Sequence, residues 1–142
     1  MFKRTVLVTL FAVTALAVGS AQQPTVTIKA DKTPANNGKQ MFVSYCAPCH
    51  GVDGKGQGPV ASALVVKPAN LTELSKNNNG KFPDVHVLAV INLGAKVEAH
   101  GVKDMPVWGP VLGGMDEFGN NPNMQALRVN NLENYVKTLQ VN

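Results

Sequence analysis

The sequence predicts an all-α fold of short helices. Three observations predict it. Apolar residues recur at three- and four-residue spacing in several brief windows, and no window shows a convincing strand alternation outside residues 22–34. Glycine- and proline-rich stretches separate those windows. The regular segments are also too few for the length. About a hundred residues of short helices and loops bury little apolar surface unaided, which points to a large apolar ligand at the centre.

The chain of 142 residues opens MFKRTVLVTLFAVTALAVGSAQQ. Lys3 and Arg4 precede an apolar run over residues 5–18, and Gly19, Ser20 and Ala21 supply small residues. This is the layout of a cleaved export signal over residues 1–21, with a run of about 14 residues that falls short of a bilayer span. It predicts a periplasmic protein with no stable membrane insertion. Lys3 and Arg4 are two of the 13 basic residues, so 11 remain against 9 acidic ones. That balance, with no Lys/Arg cluster, argues against nucleic acid as a partner.

Residues 22–35 read as an extended leader, and residues 36–142 as one domain. A helix starts near Asn36 or Asn37, either of which can cap it, and places Met41, Phe42, Tyr45 and Cys46 on one face. Residues 51–59, GVDGKGQGP, hold four glycines and read as a loop. Residues 61–66 suit a short helical turn ended by Pro68. Asn70-Leu71-Thr72-Glu73 resembles a capping box for a short helix that stops before Asn77-Asn78-Asn79-Gly80. Asp84 is placed to cap a further helix with Val87, Leu88, Val90 and Ile91 as its apolar positions, and Gly94 ends it. From Ala95 to Gly119 no periodicity lasts, and so long an irregular stretch suits a chain wrapped around a ligand. The last helix has Asn121 as cap, Pro122 in its first turn, and Leu132, Tyr135, Val136 and Leu139 on one face.

The two cysteines of the chain lie in Cys46-Ala47-Pro48-Cys49-His50. A lone Cys-x-x-Cys pair in an exported domain is not a disulfide scaffold. Cys-x-x-Cys-His is the pattern of covalent c-type haem attachment. Thiols one helical turn apart can both add to vinyl groups along one porphyrin edge, and the histidine behind them is carried under the ring as an iron ligand. Two rival readings are weaker. A thiol–disulfide site sits at a helix N-terminus, whereas this pair follows a predicted helix. Zinc needs four ligands, and only His86 and His100 are left to help.

On GKQMFVSYCAPCHG, GKGQGP, DMPVWG and the last amphipathic helix, in that order, the chain resembles the class I cytochromes c, the small exported monohaem cytochromes of bacteria. The resemblance runs from about Asn36 to Gln140. It implies a cytochrome c fold, short helices around one haem c held covalently through Cys46 and Cys49, with His50 as proximal ligand. It also implies that the first and last helices cross, with Gly38 and Phe42 meeting Leu132 and Tyr135.

Class I proteins resemble one another in a methionine on the other face of the iron. Met105, in DMPVWG, matches the family's Met-Pro pair. Met115, in a segment that reads as flexible, His100 and an open site are the alternatives, while Met41 and Met124 read as core or surface. Trp108 reads either as core or as a donor of its indole N–H to a haem propionate. In the family a proline at the place of Pro59 brings a carbonyl to the proximal histidine's Nδ1–H, which tunes the iron. The glycine loop lacks a Gly-Lys-Ser/Thr ending and the acids of a calcium loop.

His/Met ligation favours reduced iron and leaves no open position. The expected function is therefore a periplasmic one-electron carrier and not an enzyme. Its partners would be a dehydrogenase as donor and an oxidase or reductase as acceptor, met as a monomer. The alternative is a haem-bearing subunit, or a gas or redox sensor, in which the sixth ligand is labile.

Overall fold

The computed structural model describes residues 31–94, 105–115, 119 and 121–141. Those residues form helices, turns and loops, with no strand among them. The expected signal segment, residues 22–30 of the expected leader, and residues 95–104 with His100 lie outside the described residues. No helix among the described residues is long and apolar enough to cross a membrane.

Helix α1 (Gly38–Met41) runs without a break into a π-helical turn (Phe42–Cys46) and then into α2 (Ala47–His50). Asn37 is the cap, its side-chain oxygen accepting from Gln40 N at 2.9 Å. The π turn has a local cause. Pro48 has no N–H to offer the carbonyl one turn back, and just ahead of it Ala47 N–H reaches Phe42 O, five residues away. Three short 3-10 turns follow, at Ala61–Ala63, Leu71–Glu73 and Lys76–Asn78. Asn70 caps the second as expected, accepting from Thr72 N and donating to Glu73. The cap does not extend into a full helix, and Asn79 and Gly80, both at positive φ, turn the chain instead.

Helix α3 (Asp84–Leu93) begins one residue earlier than a capping Asp84 would place it. Asp84 is the first helical residue, and its carboxylate pairs with Lys137 Nζ at 2.5 Å. Gly94 ends the helix at φ +77°. Helix α4 (Trp108–Gly113) lies inside the stretch expected to be irregular. Its WGPVLG sequence hides it, since two glycines and a proline sit in six residues. Pro110 is nevertheless tolerated there, because first-turn amides have no intrahelical partner. Helix α5 (Pro122–Thr138) is the expected last helix, with Asn121 accepting from Asn123 N and Met124 N.

Helix α5 is the spine: it packs against α1, α3 and α4, and α3 also touches α4. The α1–α5 crossing is made on bare backbone. A Cβ built on Gly38 would stand 2.0 Å from Asn131 O and 3.1 Å from Tyr135 Cβ. Beside it the Phe42 and Tyr135 rings meet at 5.2 Å, tilted by 53°. Of the residues expected at the crossing, Gly38 and Phe42 both meet Tyr135, Asn131 adds a backbone contact, and Leu132 is buried in the core. Met41, Phe42, Leu112 and Leu132 are the largest fully sealed side chains. Each contributes roughly 2–3 kcal/mol of apolar burial.

Part of the leader belongs to this core. The Tyr45 hydroxyl donates to Asp31 O and accepts from Thr33 Oγ1, Arg128 Nη1 donates to Thr33 O at 2.6 Å, and Asn131 Nδ2 donates to Ala35 O at 3.1 Å. Residues 31–35 are therefore tied to the π turn and to α5.

One buried acid marks the α3–α5 contact. Glu133 is 5% exposed and its Oε1 has no partner among the described residues. Burial first, then the charge of neighbouring Asp84, pushes its carboxyl above the usual range, while Lys137 holds Asp84 below it. The folded Glu133 keeps a proton that the unfolded chain releases. It therefore costs stability progressively as pH rises from the usual carboxylate range through its raised value.

Two predictions follow from these contacts. Gly38→Ala should destabilise the fold by about 3 kcal/mol through overpacking at the crossing; a denaturant midpoint equal to wild type would refute the bare-backbone contact. Glu133→Gln should flatten the fall in melting temperature between mildly acidic and neutral pH. A pH profile of melting temperature that keeps its wild-type slope would place that proton elsewhere.

Candidate functional site

The site is built on the last turn of a helix and the loop that folds back over it. Cys46 closes the π turn, while Cys49 and His50 end α2, so the three side chains follow one another around a single helical segment. A helix ending at His50 leaves its final carbonyls without intrahelical donors. The glycine loop supplies them. Gly56 N donates to His50 O at 2.7 Å, Gly58 N to Cys49 O at 3.0 Å and Val60 N to Pro48 O at 3.0 Å. Alternate amides of the loop thus pair with successive carbonyls of the helix in antiparallel order. A Cβ on Gly58 would stand 2.3 Å from Pro48 O, so that side of the loop admits no side chain.

The imidazole of His50 is half-buried, and its Nδ1 lies 3.0 Å from Ala69 O. A carbonyl only accepts, so Nδ1 carries the proton and Nε2 keeps its lone pair. Burial holds the ring below its usual pKa, against a smaller opposing effect of the Ala69 bond. The result is a neutral, oriented imidazole with one free ligand atom. The carbonyl expected from the turn at Pro59 comes from Ala69 instead. Pro59 is exposed on a loop whose amides are spent on α2. Ala69 reaches the ring because residues 68–69 cross the loop at Gly56, where a Cβ would meet Pro68 O at 2.3 Å.

The thiols are not set up for exchange chemistry. Burial, then the nearby Cys49 thiol, pushes Cys46 up to about 12, and burial raises Cys49 as well. A reactive redox cysteine needs the opposite shift. There is no free helix N-terminus at Cys46 either, because Ala47 N–H is bonded to Phe42 O. Among the described residues no group of three or more His, Cys, Asp or Glu could hold a metal ion, and His86 is exposed on α3.

Met105 is half-buried against the core just ahead of α4, and Pro106 and Val107 lead from it into the helix. Trp108 is buried, its ring 5.5 Å from that of Tyr45. Met115, expected in a flexible segment, is 6% exposed, and its sulfur lies 3.5 Å from the Tyr45 hydroxyl oxygen. Tyr45 therefore links the Cys46 turn to both ends of α4. Met124 is half-buried in the first turn of α5, and Met41 is core.

The family model described as cytochrome c matches residues 35–140. The chain belongs to the cytochrome c family. No curated protein and no solved structure matches it. Cytochromes c are electron carriers with covalently bound haem, and this cytochrome's residues fit that group. Its two cysteines have the attachment spacing, its histidine presents Nε2, and its thiols are unsuited to disulfide exchange.

Sequence reading missed Ala69 and Tyr45 as parts of the site. Ala69 acts through its backbone, which no side-chain pattern reveals. Tyr45 was placed on the apolar face of the helix, and its hydroxyl partners come from residues far away in the chain.

In this cytochrome Gly56→Ala should displace residues 68–69 and weaken the bond to His50 Nδ1. Loss of that acceptor makes the imidazole a poorer donor, so the reduction potential should rise. A variant with wild-type potential and wild-type stability would show that the crossing at Gly56 does not set the histidine.

Proposed function

We propose that this cytochrome is a periplasmic one-electron carrier with a single haem c, ligated by His50 and Met105. One observation carries the reading: Cys46, Cys49 and His50 share a helical turn, and His50 has Nδ1 committed to Ala69 O. Bound haem supplies reversible one-electron chemistry at its iron. Cys46 and Cys49 would hold the porphyrin edge as thioethers, and the fixed imidazole would give its Nε2. Met105 is the methionine nearest the start of α4 and is packed against the core. As a thioether it favours the reduced state and raises the potential relative to a second histidine.

With His50 and Met105 both engaged, no coordination position remains for a substrate. The protein then acts as a carrier and not as an enzyme. Trp108, buried at the start of α4 beside Tyr45 and three residues after Met105, would be the donor toward a propionate. Val52, Val60 and Val65 are exposed in the chain that follows α2 and would offer apolar surface to a partner. Such a surface, with a small net charge once residues 1–21 are removed, suits brief encounters that salt barely affects. The partners proposed are a dehydrogenase donor and an oxidase or reductase acceptor. The alternative, a subunit or sensor with a labile sixth ligand, draws on the lack of regular structure at Met105 itself.

The deciding experiment is the optical spectrum of protein exported with a haem-attachment system, for wild type and Met105→Ala. Covalent haem is expected, with the weak far-red methionine–iron band present in wild type and lost in the variant. Rapid carbon monoxide binding by reduced wild type at neutral pH would favour the sensor. Absence of covalent haem would overturn both readings.

A further inference from the structure

Met105 has no secondary structure of its own. It is followed by Pro106 and an extended Val107 (φ −78°, ψ 100°), two residues that join it directly to the start of α4. That seat is formed on one side by the end of α3 and the start of α5. A Cβ on Gly109, the second residue of α4, would stand 2.2 Å from Asn92 Oδ1, 2.4 Å from Asn92 O and 2.9 Å from Gln125 Nε2. The two amide side chains that line this contact also bond each other, Gln125 Nε2 donating to Asn92 Oδ1 at 2.6 Å in a half-buried setting. Next to it, a Cβ on Gly94 would come within 2.9 Å of Val107 Cγ2. On its other side α4 is held by the Trp108 ring against Tyr45, the residue before Cys46.

We infer that Asn92 and Gln125 are positioning residues for Met105, acting through the seat they give Gly109. The inference rests on Met105 as axial ligand. A directional amide–amide bond fixes the separation of α3 and α5 at the height of Gly109, whereas apolar side chains of the same volume would let the helices slide. The Lys137–Asp84 pair also ties α3 to α5, but at the opposite end of α3, where it is exposed and away from α4. Bare backbone at Gly109 makes the seat shallow and leaves the amides as its floor. Removing the bond therefore frees α4, and the chain leading back to Met105, to shift without unfolding the domain.

The test uses the full holoprotein. Gln125→Leu and Asn92→Leu delete the bond at nearly constant volume, and Asn92→Asp keeps an acceptor. The readouts are the far-red methionine–iron band and the rate at which imidazole binds the oxidised protein, which is limited by release of the methionine. Both leucine variants should bind imidazole roughly three- to tenfold faster, the range of one net hydrogen bond, with a weakened band. The double variant should be no faster than either single one. Asn92→Asp should stay near wild type, as should Lys137→Met, which breaks the other tie. If both leucine variants melt earlier but keep wild-type band and imidazole rate, the amides are only structural and the inference fails. Should Asn92→Leu yield no holoprotein, Gln125→Leu alone decides. Met105→Ala retaining the far-red band would instead remove the ligand assignment beneath it, a separate failure.

Discussion

A helix that stops inside a protein leaves its last carbonyls in need of donors, and α2 stops on His50. The loop after it meets that need with Gly56, Gly58 and Val60 amides, and the rest of the site depends on this pairing. It holds the loop flat against the Cys-bearing turn. It brings Gly56 to the crossing with residues 68–69, and so puts Ala69 O on the histidine. Side chains beyond glycine at those contacts would separate the helix, the loop and the crossing strand of chain together. The imidazole's tautomer and orientation are thus consequences of backbone satisfaction in a neighbouring loop.

The same economy recurs at the helix packing. Where α1 meets α5 and where α4 meets α3 and α5, the contact is made by a glycine against a carbonyl or an amide. Close approach lets short helices share one small core, while aromatic pairs beside the crossings, Phe42 with Tyr135 and Tyr45 with Trp108, fill the remaining space. Tyr45 also joins elements that are distant in sequence. Its ring meets α4, and its hydroxyl meets Met115 and residues 31–33.

Much of this was legible in the chain. The Cys-x-x-Cys-His pattern, the Asn37 and Asn121 caps, the Gly94 stop and the periodic face of α5 each encode their role within a few residues. What escaped depends on distant partners. Helix α4 has too little local propensity to be seen, since it is stabilised by burial of Trp108 and Leu112. Met115 looked mobile among glycines and acids, yet Tyr45 holds it in the core. Asp84 had the chemistry of a cap, but Lys137, 53 residues on, took its carboxylate. Pro59 is marked only by its place in the resemblance, while the carbonyl that bonds His50 is selected by how the loop crosses residues 68–69.

The π turn at Phe42–Cys46 holds one residue more than an α-helical path would need. One residue of an α-helix turns through about 100°. The extra residue therefore sets the azimuth of Cys46, Cys49 and His50 separately from that of Gly38 and Met41. A single continuous rod can in this way aim its first half at a packing partner and its second half at a prosthetic group. Removing that residue would leave the helix intact and the chemistry facing the wrong way.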